Sequence, residues 1–265
     1  MENTTGFVTQ LGMDHEAAFD VAEEYGFDYV ELLMDGDYER RAFDPVAVRE
    51  AAAARDLDLL VHLPFALDVG SAYEHVREGA IRELVAAAET AAEMGAEKGV
   101  AHANSKAWGP AWDRDHLRDI VLDSVREMDA ETPDDVEICF ENIPGGAFST
   151  RNFPDLFEET DAAMTFDTGH ARVDGLDSAE MARFVGDHGD RISHFHLNDT
   201  RKPQDEHLPF GSGTIDFERV LGALPADWSG TLSLEVFTLD YGYIGVSKEY
   251  LDEVLTAVDT ETVGE

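Results

Sequence analysis

The sequence holds one cysteine in 265 residues, Cys139, so no internal disulfide can form and the fold must rest on its core. Basic residues are scarce. Nineteen Lys and Arg stand against 57 Asp and Glu, a formal charge of −38. Arg40–Arg41 and Arg201–Lys202 are the only adjacent basic pairs. With no basic stripe to sit on phosphates, the composition counts modestly against a nucleic-acid partner. No apolar run approaches the ~20 residues that cross a bilayer, so no membrane association is expected. Met1 to Gln10 carries neither a basic start nor an apolar signal-peptide segment, and the expected location is the cytoplasm.

What is present is a foldable chain with an extreme surface. Hydrophobic residues make up 43%, spread throughout, which excludes a disordered acidic tail. A charge this large repels itself at low ionic strength. Concentrated salt shortens the range of that repulsion to a few ångströms. The acids run along the whole chain rather than in one block, so the charge reads as habitat, a halophilic organism, rather than as a patch for a cationic partner.

Short β-rich runs alternate with helical stretches from end to end. Strands are expected over Gly6–Gln10, Tyr29–Leu33, Leu59–His62, Gly99–His102, Glu137–Glu141, Ala163–Asp167, Ile192–Leu197 and Thr231–Val236. Between them lie helices over Asp14–Tyr25, Pro45–Arg55, Ala72–Met94, Asp113–Met128, Asn152–Glu159, Ser178–Asp187, Asp216–Leu224 and Ser247–Val258. Asp14 fits an N-cap, Gly26 a C′ position and Pro45 a first helical position. Such alternation predicts parallel βαβ units, and about eight of them fit a single α/β domain, a (β/α)8 barrel over residues 1–265 with a polar tail after about Asp259. An open doubly wound sheet would want a glycine-rich phosphate turn after its first strand, and Gln10-Leu11-Gly12-Met13-Asp14 is not one.

In such a barrel the C-terminal strand ends converge on one mouth. His62 ends the third strand, His102 the fourth, Glu141 the fifth and Asp167 the sixth; His196 lies near the end of the seventh and Glu235 of the eighth. The loop after the seventh adds Asp205-Glu206-His207. Singly, a His after a strand is more often a hydrogen-bonded loop residue than a ligand, and a lone Glu there is usually solvated. Six consecutive strands with an ionisable group at the same end are another matter, because burying them together without a counterion is very costly. A bound cation removes that cost. Imidazole and carboxylate without thiolate suit Zn²⁺, Mn²⁺, Co²⁺ or Mg²⁺. His194, on the same strand face as His196, reads as structural or as a support to a ligand. Cys139 reads as barrel filling. For Glu31, read at the end of the second strand, a hydrogen-bonded role and a substrate contact stay open. Trp108 and Trp112 either wall a pocket or pack on the surface.

Beyond these residue types, the chain resembles the xylose isomerase-like TIM barrel superfamily from Gly6 to about Tyr250. The resemblance rests on Phe140-Glu141-Asn142, Asp167-Thr168-Gly169-His170, His196-Leu197-Asn198-Asp199, the block from Asp205 through Asp216, and Leu234-Glu235. The superfamily holds sugar isomerases and epimerases, inosose dehydratases and endonuclease IV-type abasic-site nucleases. In the epimerase branch one divalent metal is held by residues that match Glu141, Asp167, His196 and Glu235. In the nuclease branch nine ligands hold three zinc ions, and the further five match His62, His102, His170, Asp205 and His207. There His62 and His102 would share an ion with Glu141, and His170 would join Asp205 and His207. The resemblance therefore implies one to three divalent ions per chain.

The first strand, Gly6-Phe7-Val8-Thr9, and the segment Leu63-Pro64-Phe65-Ala66-Leu67 after His62 depart from the nuclease pattern. The favoured expectation is thus a metal-dependent sugar or sugar-phosphate isomerase or epimerase. Glu141 and Glu235 would move protons through a cis-enediolate, and Trp108 and Arg201 would contact substrate. The alternatives are an endonuclease IV-like tri-zinc phosphodiesterase, an inosose dehydratase-like lyase, and a barrel that binds a sugar or metal without turning it over. Barrels of this class form homo-oligomers, though the sequence identifies no interface.

Overall fold

The computed structural model describes residues 4–10 and 12–262. Eight strands close into one parallel barrel in chain order, each hydrogen-bonded to the next and the last to the first. They are β1 (Thr4–Val8), β2 (Tyr29–Leu33), β3 (Asp58–His62), β4 (Lys98–His102), β5 (Glu137–Glu141), β6 (Ala163–Asp167), β7 (Ile192–Leu197) and β8 (Thr231–Leu234). The (β/α)8 architecture expected from the alternation is therefore the one found. Around the barrel run α1 (His15–Tyr25), α2 (Pro45–Ala53), α3 (Glu74–Met94), α4 (Arg114–Glu131), α5 (Pro154–Glu159), α6 (Thr168–Val173), α7 (Ser178–His188), α8 (Phe217–Leu221) and α9 (Gly242–Thr262). No helix among the described residues is long and apolar enough to cross a membrane.

The helix boundaries follow local chemistry. Asp14 and Asp44 accept from backbone N–H groups of the first turns of α1 and α2, as N-caps do. Pro45 occupies the first turn of α2, where its missing N–H costs nothing. Gly26 ends α1 at φ 70°, a left-handed conformation that favours glycine. The helices turn residues such as Phe19, Ile81, Leu84, Val121 and Met181 onto the strands, where Val30, Val61, Phe140, Phe166 and Phe195 complete a continuous core.

Beyond small shifts at other element ends, four departures from the sequence expectation stand out. β1 sits two residues earlier than Gly6–Gln10, because Thr4 and Thr5 pair with Thr231 and Leu232 of β8. β8 stops at Leu234, so Glu235 lies just beyond the ladder, although its N–H still donates to Leu197 O at 3.0 Å. α6 was not expected at all, since it begins on the residue after β6 with no loop between. The closing helix starts earlier and continues to Thr262, past the polar tail expected from about Asp259; residues 263–265 of that tail lie outside the described residues.

Candidate metal centre at the C-terminal mouth

Strand register sets the site. His102 pairs with Glu141, Asp167 with His196, and His196 with Ser233, so neighbouring strands present their chemistry at one level. Glu141, Asp167, His196 and Glu235 each offer a ligand atom, and these atoms all lie within 4.8 Å of one another. All four residues are buried. His196 Nδ1 stands 3.4 Å from Glu141 Oε1 and 3.5 Å from Glu235 Oε2.

Among the other groups that gather ligand atoms, which include Glu31–His194–His196 and His62–His196–Glu235, two hold the remaining residues of the nine. His62, His102 and Glu141 gather on one side, and His170, Asp205 and His207 on the other, each within the same 4.8 Å limit. Glu141 is shared, with Oε2 2.7 Å from His102 Nε2 and Oε1 3.1 Å from His170 Nδ1. His207 Nε2 lies 2.9 Å from Asp205 Oδ1. The nine residues named from the sequence thus come together in three groups. His62 Nδ1 lies 2.8 Å from Leu63 O, so it carries the hydrogen and leaves the Nε2 lone pair facing the carboxylates.

The donor set fits a divalent cation. His102 Nε2, His170 Nδ1, His196 Nδ1 and Glu235 Oε2 are buried without an aligned hydrogen-bond partner, although charged atoms lie close by. Lone pairs that converge on shared points without bonding to one another are what a cation satisfies. The protein field shows the same tension. Burial lifts the Asp167 carboxyl to about 7; His170 opposes that rise, while Glu235 and Glu141 add to it. Burial would lower His207, but Glu235 and Asp205 push it up to about 11.

The sequence motifs have local reasons. Asp167 is at once the last residue of β6 and the N-cap of α6, its carboxylate accepting from His170 N. Asn198 Nδ2 donates to Asp167 Oδ2 at 2.7 Å, and Asn142 Oδ1 accepts from Asp167 N at 2.7 Å. A Cβ on Gly169 would stand 1.9 Å from Asn198 Oδ1, so only glycine leaves Asn198 its place. Asp199 accepts from the N–H groups of Thr200, Gly213, Thr214 and Ile215, tying down the long loop that carries Asp205 and His207.

Of the residues with open readings, Glu31 stands differently from its sequence position, while His194 and Cys139 take the roles read for them. Glu31 is the third residue of β2, not its end, and pairs in register with Leu60, two residues short of His62. It is fully buried beneath His196 and His194 rather than at the mouth, which removes the substrate-contact option. His194 is buried against the same carboxylate, in a supporting role. Cys139 is buried, and burial pushes its thiol up, so it fills the barrel and stays unreactive. Trp112 packs on Tyr73 and His116. Trp108 is 74% exposed in the loop after β4. Arg201 is exposed and paired with Glu206 at 2.7 Å. Asn142 and Asn198 carry roles that their residue types alone do not announce; the available signal is their place one and two residues after the ligand candidates Glu141 and His196.

The model of a family described as "xylose isomerase-like TIM barrel" matches residues 19–255. The uncharacterized protein MJ1311 of Methanocaldococcus jannaschii is 27% identical over 247 residues, 89% of this chain and 83% of that one. Among solved structures, a D-tagatose 3-epimerase-like protein superposes with a TM-score of 0.85 at 25% identity, covering 98% of this chain and 99% of its own. A D-allulose 3-epimerase from Methylomonas sp. superposes at 0.78 with 17% identity, covering 96% and 98%. An L-ribulose 3-epimerase superposes at 0.78 with 16% identity, covering 97% and 96%. At those identities the last two share the fold.

Proposed function

The chain belongs to the xylose isomerase-like TIM barrel family, and from that premise we propose that it is a divalent-metal-dependent isomerase or epimerase of a sugar or sugar phosphate. The observation that carries the reading is the buried cage of Glu141, Asp167, His196 and Glu235, with ligand atoms within 4.8 Å of one another. The likeness to a D-tagatose 3-epimerase-like structure over nearly the whole chain supports the choice of reaction class.

In this reading Asp167 and His196 serve only to hold the ion. Asn198 and Asn142 bond the Asp167 side chain and backbone and fix it for that role. Mn²⁺, Co²⁺, Mg²⁺ or Zn²⁺ in the cage would polarise a substrate carbonyl and acidify the adjacent C–H. Glu141 and Glu235, three strands apart around the barrel, then divide the proton work. One carboxylate takes the α-proton to give a cis-enediolate, and the other returns a proton. Phe65, edge-on to His62, and Phe237, stacked on His207 at 4.2 Å, place apolar surface beside the ligands. That surface limits water around the intermediate.

The test uses ketoses such as D-tagatose, D-allulose and L-ribulose in deuterated water with added metal. The wild type should exchange the substrate α-hydrogen for deuterium, and Glu141→Gln should abolish the exchange. Retained exchange in a folded, metal-loaded Glu141→Gln protein sinks the mechanism.

One observation favours a second reading, phosphodiester hydrolysis on three ions: the His62–His102–Glu141 and His170–Asp205–His207 groups also gather ligand atoms within 4.8 Å of one another. Nucleic acid requires Lys and Arg on its phosphates, and a chain of net charge −38 supplies few. Cleavage of a synthetic abasic-site duplex supports this reading, and no cleavage at several salt concentrations counts against it.

A further inference from the structure

Below the cage lies a buried polar chain that the proposed reaction does not use. Glu31 is fully buried in the barrel interior. Its Oε1 lies 3.0 Å from His196 Nε2, and its Oε2 lies 3.1 Å from His194 Nε2 and accepts from Ser233 Oγ at 2.5 Å. Tyr29 OH lies 3.0 Å from Ser233 Oγ, whose hydrogen is committed to Glu31, so the tyrosine donates. His194 Nδ1 lies 2.6 Å from Thr231 Oγ1, and Lys98 Nζ donates to the same hydroxyl at 3.2 Å.

Hydrogen-bond logic fixes the proton positions along this chain. An ionised carboxylate only accepts, so His196 carries its Nε2 hydrogen toward Glu31. The Nδ1 lone pair is then left for the cage, where Nδ1 stands 3.4 Å from Glu141 and 3.5 Å from Glu235. The opposite tautomer would turn an N–H into the cage and two acceptors against each other below it. A carboxylate on the far nitrogen of a ligating imidazole also fixes the ring plane and raises its basicity. An isolated buried carboxylate would be very costly. Three donors, His196, His194 and Ser233, make this one stable without a cation of its own.

We propose that Glu31 is a positioning residue of the metal centre: it sets the tautomer and ring orientation of His196, and His194 and Ser233 hold Glu31 in place to do so. The inference rests on the reading of His196 as a ligand and deepens it, because it assigns part of the metal affinity to a residue that touches neither metal nor substrate.

The experiment measures Mn²⁺ affinity by competition with a chelator, and the visible absorption of the Co²⁺-loaded protein. Wild type is compared with Glu31→Gln, Tyr29→Phe and His196→Gln. Glu31→Gln keeps the shape but presents only one acceptor oxygen to two imidazoles. It should weaken Mn²⁺ binding by about 10- to 100-fold and shift the Co²⁺ bands, while Tyr29→Phe, which spares both imidazole contacts, stays within about threefold of wild type. Should Glu31→Gln fail to fold, Glu31→Asp, with its carboxylate withdrawn by one methylene, carries the test with the same two readouts. Wild-type affinity and an unshifted spectrum in the Glu31 variant, alongside loss of binding in His196→Gln, overturn the positioning role alone. Unchanged binding in both overturns the reading of His196 as a ligand, and the inference with it.

Discussion

Asp167 concentrates the chemistry of the site in one side chain. It ends a strand, caps a helix and faces Glu141 and Glu235 across the cage. Its carboxyl stands at about 7, raised by burial and by those two neighbours against the pull of His170, whereas an unfolded Asp titrates near 3.9. A carboxyl held above its unfolded value gives stability below the unfolded pKa and loses it as pH rises through the folded one. The metal-free protein therefore loses stability from this group between about pH 4 and 7, where the unfolded chain has already released its proton. A bound divalent cation offsets the buried negative charge and removes that loss. The rise in melting temperature on adding Mn²⁺ should thus be larger at pH 8 than at pH 5.5. A rise independent of pH contradicts this account of the cage. Gly169→Ala is a second check at this scale. Its Cβ would stand 1.9 Å from Asn198 Oδ1, pushing Asn198 off Asp167. Overpacking of this kind costs ~1–3 kcal/mol, read as a shift in the denaturation midpoint, and Mn²⁺ affinity should fall with it.

The loop between β7 and α8 behaves as an element although it contains no helix and no long strand. Asp199 organises it through four backbone N–H groups, and Asp199 and Leu208 exchange a pair of backbone hydrogen bonds across it. His207 is held at φ 43°, a strained conformation for a non-glycine residue, with its carbonyl accepting from Phe237 N. Asp199→Ala leaves several N–H groups without an acceptor and should cost about 3 kcal/mol or more in urea unfolding. It should also release Asp205 and His207 from the outer group while the four-residue cage stays intact. A change below 0.5 kcal/mol shows that the loop has another anchor.

How far the elements were legible depended on where the apolar pattern broke. β2, β5, β6 and β7 were bounded correctly because each is a short apolar run, and for the last three a ligand candidate stood at or near the end to mark it. α6 escaped because Asp167 belongs to strand and helix together, leaving no loop to announce the change. Reading Glu31 at the end of β2 conflicts with the bounds Tyr29–Leu33, which make it the third of five residues. In register it lies one layer below the mouth, and an inward carboxylate in mid-strand was the available signal of a buried partner. The grouping of nine residues was legible through motif order, whereas the hydrogen bonds of Asn142 and Asn198 needed coordinates.

At the scale of the whole molecule, a compact barrel carries a charge of −38. Such a surface repels itself, and the strength of that repulsion depends on salt. Exposed charges interact over ~10 Å at 0.1 M salt and ~3 Å at 1 M, so screening should relieve much of the repulsion. The melting temperature of the metal-free protein should rise steadily between 0.2 and 3 M KCl. A chain most stable at 0.1 M would show that charge repulsion does not govern its stability.

The most direct measurement is the number of divalent ions per chain, by elemental analysis of protein purified in concentrated KCl without chelators, for wild type and for His196→Gln. The account predicts one ion per chain in the wild type and its loss in the variant. Three zinc ions per chain would contradict the single-metal reading in favour of hydrolysis, and no bound divalent ion in a folded wild type would contradict the metal centre itself.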